Sequence, residues 1–147
     1  MTVGSVSAIT HEYPLGCSAE RAFETYASRI AEWWDPRYTA NAETLERVTI
    51  EPFVGGRVYA THSDVGDDDW GIVSTWEPGR RLVHTFTLAQ DPRHPSEVAV
   101  EFAPGPDGAG CVVRFAHGGW NDENARERTK FTDWRIMLDR FAALARQ

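Results

Sequence analysis

Between Thr44 and His117 the chain repeats one short theme: a strand-like segment of about six to eight residues, closed by a turn signal and followed by another. Thr44–Glu51 carries Leu45, Val48 and Ile50, and Gly55-Gly56 marks a turn or bulge before Arg57–His62. Trp70–Trp76 closes on Pro78-Gly79, and Arg81–Leu88 closes on Asp91-Pro92. Glu97–Phe102 alternates, with Val98, Val100 and Phe102 on one face and Glu97, Ala99 and Glu101 on the other. The Pro104–Gly108 run is a hairpin loop, and Cys111–His117 is the last strand. Connections this short leave no room for crossover helices, so the strands pair antiparallel in a meander. The stretch Asp64–Asp69 reads as an acidic loop at a hairpin tip.

Helical patterns flank this block. Val3–Tyr13 reads as an opening strand with Val6, Ala8 and Ile9 apolar. Ser18 is a candidate cap, and Ala22, Phe23, Tyr26, Ala27 and Ile30 follow at helical spacing. Ser18–Trp34 is therefore one helix or two short ones, stopped by Pro36. Near the C-terminus Phe131, Trp134, Leu138, Phe141 and Ala145 recur at steps of three and four, making one apolar stripe. With Asn121 or Asp122 as cap, this predicts a helix of roughly 25 residues, ~37 Å long. A sheet with one apolar face and a helix with one apolar stripe bury each other, which makes the fold class α+β. No repeat or linker divides the chain, so residues 1–147 form one domain.

Charge and composition exclude several classes. Fifteen basic residues against 22 acidic ones give a formal charge of −7, the wrong sign for gripping nucleic-acid phosphates. The longest apolar run is Phe141–Ala145, far short of a bilayer span. Met1–Ser5 lacks the basic start of an export signal, so a cytoplasmic location is expected. Cys17 and Cys111 form no CxxC pair and read as reduced packing residues. Asp64, Asp67, Asp68 and Asp69 lack the ligand spacing of a calcium loop, and the histidines form no HExxH. There is no Walker loop, dinucleotide fingerprint or GxSxG elbow. Neither a metal, a cofactor nor a complete catalytic set is expected.

Several residue groups, in order, resemble a known family. They are Trp33-Trp34 before Pro36, the run Glu51–Arg57, Gly71-Ile72-Val73, Glu77-Pro78 with Arg81–Phe86, His117-Gly118-Gly119-Trp120, and Trp134. Together they are similar to the START-like (SRPBCC, helix-grip) superfamily, within it the heat-shock protein 90 ATPase activator homologues. The resemblance implies a curved antiparallel sheet of six or seven strands wrapped on a long C-terminal helix. It also implies two short helices after the first strand, and a cavity between sheet and helix. Members of the superfamily bind lipids, sterols and polyketides, and some act as cyclases. His84 departs from the pattern, in which an aromatic or aliphatic residue is commoner.

Leu82, His84 and Phe86 share one strand face, and Val113, Phe115 and His117 share another. Two readings of the histidines are open. Either the imidazoles reach a ligand's polar group, or each bonds a neighbour and holds the fold. The tryptophans Trp33, Trp34, Trp70, Trp76, Trp120 and Trp134 likewise serve as cavity wall or as core. The candidate ligand-binding set is Trp70, Trp76, His84, Phe86, Phe115, His117, Trp134, Leu138 and Phe141. The expected function is binding of a hydrophobic or aromatic small molecule between sheet and last helix. One alternative is a cyclase- or hydrolase-like enzyme using a cavity histidine. Another is a protein-interaction module similar to a heat-shock protein 90 co-chaperone, with homodimerisation possible on base rates.

Overall fold

The computed structural model describes residues 7–106 and 108–147. The start of the expected first strand, Val3–Val6, lies outside them. The strands are β1 (Ile9–Leu15), β2 (Leu45–Ile50), β3 (Arg57–His62), β4 (Gly66–Glu77), β5 (Arg81–Phe86), β6 (Ser96–Pro104) and β7 (Cys111–Gly118). They form one antiparallel sheet in the order β1-β7-β6-β5-β4-β3-β2. The six strands β2–β7 are the meander that the turn spacing predicts, and β1 returns to its β7 edge.

The helices are α1 (Ala19–Ala27), α2 (Ile30–Trp33) and α3 (Trp134–Ala145). Ser18 caps α1, its hydroxyl accepting the Arg21 N–H. Asp35, ahead of the proline, is extended, and Pro36–Tyr38 forms a single 3₁₀ turn. One sheet face is buried: Val48, Ile50, Val58, Ala60, Trp70, Val73, Leu82, Phe86, Val98, Val100, Phe102, Val113 and Phe115 meet α1, α2 and α3 there.

Two expectations need correction. The acidic stretch is not all loop: the turn is confined to Ser63–Val65, and Gly66–Asp69 opens β4. There Arg57 on the neighbouring strand pairs with Asp67 and Asp69, which offsets the repulsion between the acidic side chains.

The C-terminal helix is also far shorter than about 25 residues. Ala125–Lys130 is a 3₁₀ segment, Phe131–Asp133 is irregular, and α3 has 12 residues, or about 18 Å. Side-chain amides cause the break. Asn121 Oδ1 accepts the N–H groups of Glu123 and Asn124. Buried Asn124 donates to the carbonyls of His94, Pro95 and Gly119. These bonds give the backbone an alternative to the α-ladder. The apolar stripe survives, because the kink carries Phe131 over the rings of Trp120 and His117.

β4 carries the other irregularity. Its pairing with β3 skips Trp70 and its pairing with β5 skips Ser74. The inward positions are therefore Trp70, Val73 and Trp76, three apart instead of two, and Ile72 points out, 48% exposed. Gly71 permits this bend: a Cβ there would lie 1.9 Å from the Thr85 carbonyl oxygen.

Candidate functional site

A concave pocket of about 390 Å³ opens where the N-terminal end of α3 meets the ends of β4 and β5. Its apolar wall is Trp34, Phe86, Leu88, Phe131, Trp134 and Met137. Its polar rim is Arg37, Tyr38, Thr39, Asp68, Lys130 and Asp133, with Ala40 and Ala89 beside them.

The wall residues are positioned by several elements. Trp34 follows α2, Phe86 ends β5, Leu88 sits in the loop after it, Phe131 lies in the break before α3, and Trp134 and Met137 begin that helix. The rings interlock: Trp34 to Trp134 is 5.7 Å between centroids, Phe86 to Trp134 is 5.6 Å, and Phe86 to Phe131 is 5.9 Å.

The rim groups are held as well. Arg37 grips buried Asp35 through two guanidinium nitrogens, which holds that carboxyl below its ordinary value. The Tyr38 hydroxyl donates to Asp133 at 3.0 Å, and the Trp34 indole donates to the Tyr38 carbonyl at 3.2 Å. Lys130 donates to the Ala89 carbonyl at 2.9 Å and pairs with Glu127. The Trp70 indole donates to Asp68 at 3.3 Å.

Of the nine residues expected to line a site, Phe86 and Trp134 line this pocket. Trp70, Phe115 and His117 stand one layer behind them: Trp70 lies 4.9 Å from Trp34, Phe115 4.6 Å from Trp134, and His117 5.3 Å from Phe86. His84 lies 6.0 Å from Phe86, behind the pocket wall. Leu138 and Phe141 are deeper on α3, Phe141 packing on Tyr26 and Trp33. Trp76 packs edge-on against Phe23 of α1, away from the pocket.

The histidines answer to the fold. The Trp134 indole, which can only donate, bonds His117 Nδ1 at 3.0 Å. The proton of the neutral ring therefore sits on Nε2 and is given to Ser96 Oγ at 2.7 Å. Ser96 in turn donates to Gln90 Oε1 or the Phe86 carbonyl. Both ring nitrogens are committed in the fully buried ring. Burial, helped by the nearby His84 and Arg128 charges, lowers the His117 pKa to about 3. His84 donates through Nδ1 to the Thr85 carbonyl at 2.7 Å, and burial lowers its pKa to about 4.

Sequence reasoning left Trp34 open as cavity wall or core, outside the candidate set, and missed Leu88, Phe131, Met137 and the whole rim. The Trp33-Trp34 pair and the apolar C-terminal stripe carried a signal for Trp34 and Phe131. Trp33 donates to backbone carbonyls of α1 inside the core, whereas Trp34 turns to the pocket because the chain leaves α2 there. Among the described residues no group of three or more His, Cys, Asp or Glu side chains could hold a metal. No described helix is long and apolar enough to cross a membrane.

Among curated protein sequences, none matches the chain significantly. Solved structures are similar over nearly its full length. The Aha1 dimer from Colwellia psychrerythraea aligns with a TM-score of 0.69 at 15% identity, covering 96% of this chain and 97% of that one. The self-sacrificing resistance protein CalC from Micromonospora echinospora aligns at 0.69 and 20% identity, covering 95% and 94%. The anthrahydroquino-γ-pyrone synthase Txn09, complexed with SUM, aligns at 0.59 and 28% identity, covering 95% and 97%. These place the chain in the helix-grip fold. The model of the family described as activator of Hsp90 ATPase homolog 1-like protein matches residues 17–146. The chain belongs to that family, within the START-like superfamily.

Proposed function

We propose that this protein binds a flat aromatic small molecule whose ring system enters the pocket at the N-terminal end of α3. The observation that carries this reading is the wall itself: four aromatic side chains from three separate parts of the chain converge on one opening. A pocket of about 390 Å³ is of the size that holds a small organic ligand. Burying ligand surface against it is worth roughly 25 cal/mol per Å² of apolar area. The rim groups then fix orientation, since Arg37, Tyr38, Lys130 and Asp133 are already held in place by the protein. The similarity to a synthase complexed with SUM and to a resistance protein supports a small-molecule role without naming the molecule.

Binding is favoured over histidine catalysis. Neither His84 nor His117 lines the pocket, both are neutral near pH 7, and His117 has no free nitrogen to exchange a proton.

The test is a fluorescence titration with N-phenyl-1-naphthylamine, a neutral aromatic reporter. Wild-type protein is expected to bind it saturably at one site. Ala40→Trp, which places an indole at the rim, is expected to weaken binding at least tenfold. Equal affinity in the two proteins, or a signal that never saturates, would place binding elsewhere and overturn the reading.

A further inference from the structure

We propose that Cys17 and Cys111, the only two cysteines of the chain, form a redox-sensitive pair that closes into a disulfide and staples the β1–α1 turn to the start of β7. Cys111 lies directly opposite Leu15 in the β1–β7 register. Cys17, two residues beyond Leu15, packs against the same core. The strands are close here: a Cβ on Gly110 would lie 2.2 Å from the Leu15 carbonyl oxygen. The Cys17 thiol is close enough to help push the Cys111 pKa up. Both sulfurs are free, Cys111 buried and Cys17 partly exposed.

This asymmetry assigns the steps. Cys17 opens on a shallow groove flanked by Ser18, Arg21 and Arg146, whose guanidinium groups suit an anionic disulfide such as oxidised glutathione. The Cys17 thiolate attacks one sulfur of that disulfide, its S–S bond breaks, and one thiol leaves carrying the proton. Cys111 then gives up its proton and attacks the Cys17 sulfur, displacing the second thiol. The protein loses two electrons and two protons, and one small disulfide becomes two thiols. Burial pushes the Cys111 pKa up to about 11, so the second step is the slow one.

The bond closes a ring of about 95 residues, a large restriction on the unfolded chain. It lies at the C-terminal end of α3, whereas the aromatic pocket lies at the N-terminal end. Oxidation should therefore stabilise the protein without altering the pocket.

The full chain is incubated with oxidised glutathione and examined by intact-mass spectrometry, thiol counting and thermal melting. The expected product is a monomer about 2 Da lighter, with no accessible thiol after denaturation and a melting temperature raised by at least about 5 °C. Dithiothreitol reverses all three changes, and naphthylamine affinity stays within twofold. Cys111→Ala is expected to stop at a glutathione adduct on Cys17. Three results would overturn the proposal: a lasting adduct in the wild type, a disulfide-linked dimer, or thiols that stay reduced. A bond that lowers the melting temperature would do so too.

Discussion

Replacing Trp134 by alanine is expected to cost about 5 kcal/mol of folding stability, at or just above the upper end for deleting a buried aromatic ring. The ring is 2% exposed and touches Trp34, Phe86, Phe115 and His117, so its loss empties the junction of sheet, α2 and α3. Its N–H is also the partner of His117 Nδ1, and an acceptor left unpaired in that interior adds to the cost. Trp134→Phe separates the two effects. It keeps an aromatic ring in place and loses the hydrogen bond, for about 2 kcal/mol. Urea unfolding of the two variants beside wild type measures both quantities. If Trp134→Ala costs under about 2 kcal/mol, α3 is not anchored through this residue.

The second large effect is acid sensitivity. His84 and His117 are neutral in the folded protein, with pKa values lowered to about 4 and about 3, whereas the unfolded chain titrates near 6.5. Below pH 6.5 the unfolded state binds more protons, so stability falls as pH falls and is fully present only above that value. The loss runs down to the folded pKa values. At pH 5 the two rings together account for about 4 kcal/mol relative to pH 7.5. Asp35, held low by Arg37, adds to the loss in the same direction at still lower pH. His84→Phe is expected to remove about half of the slope between pH 7 and pH 5. An unchanged slope in that variant would mean that His84 is protonated in the folded state.

Much of the fold was legible because one-sided burial imposes a period. Val98, Val100 and Phe102 alternate because β6 is regular, and its limits were read to within two residues. Where the period fails, the cause is local and chemical. The bend of β4 at Gly71 shifts Val73 inward, which strict alternation assigns to the opposite face. The break before α3 comes from two amides: Asn121 accepts local backbone N–H groups, and Asn124 donates to carbonyls about 30 residues away, which helical spacing cannot express.

The site was less legible for the same reason. An inward-facing residue lines a pocket or fills the core according to which turn of chain covers it. Phe86 and Phe115 both point inward, yet only Phe86 reaches the opening, because α3 begins at Trp134 and covers Phe115. His117 illustrates the point further. Its strand face was read correctly, but its role depends on Trp134, Ser96 and Gln90, brought together only by the tertiary fold.

The pocket's occupancy is measured most directly by native mass spectrometry of freshly purified wild type and Ala40→Trp, each beside its denaturing spectrum. The account predicts a reproducible additional mass on the wild type that disappears on denaturation and is absent from the blocked variant. Its fragmentation identifies the aromatic ligand class, and the same spectra show whether the chain pairs with itself. A wild type that stays bare when supplied with aromatic compounds, or a mass retained equally by Ala40→Trp, would contradict the claim that this pocket is the binding site.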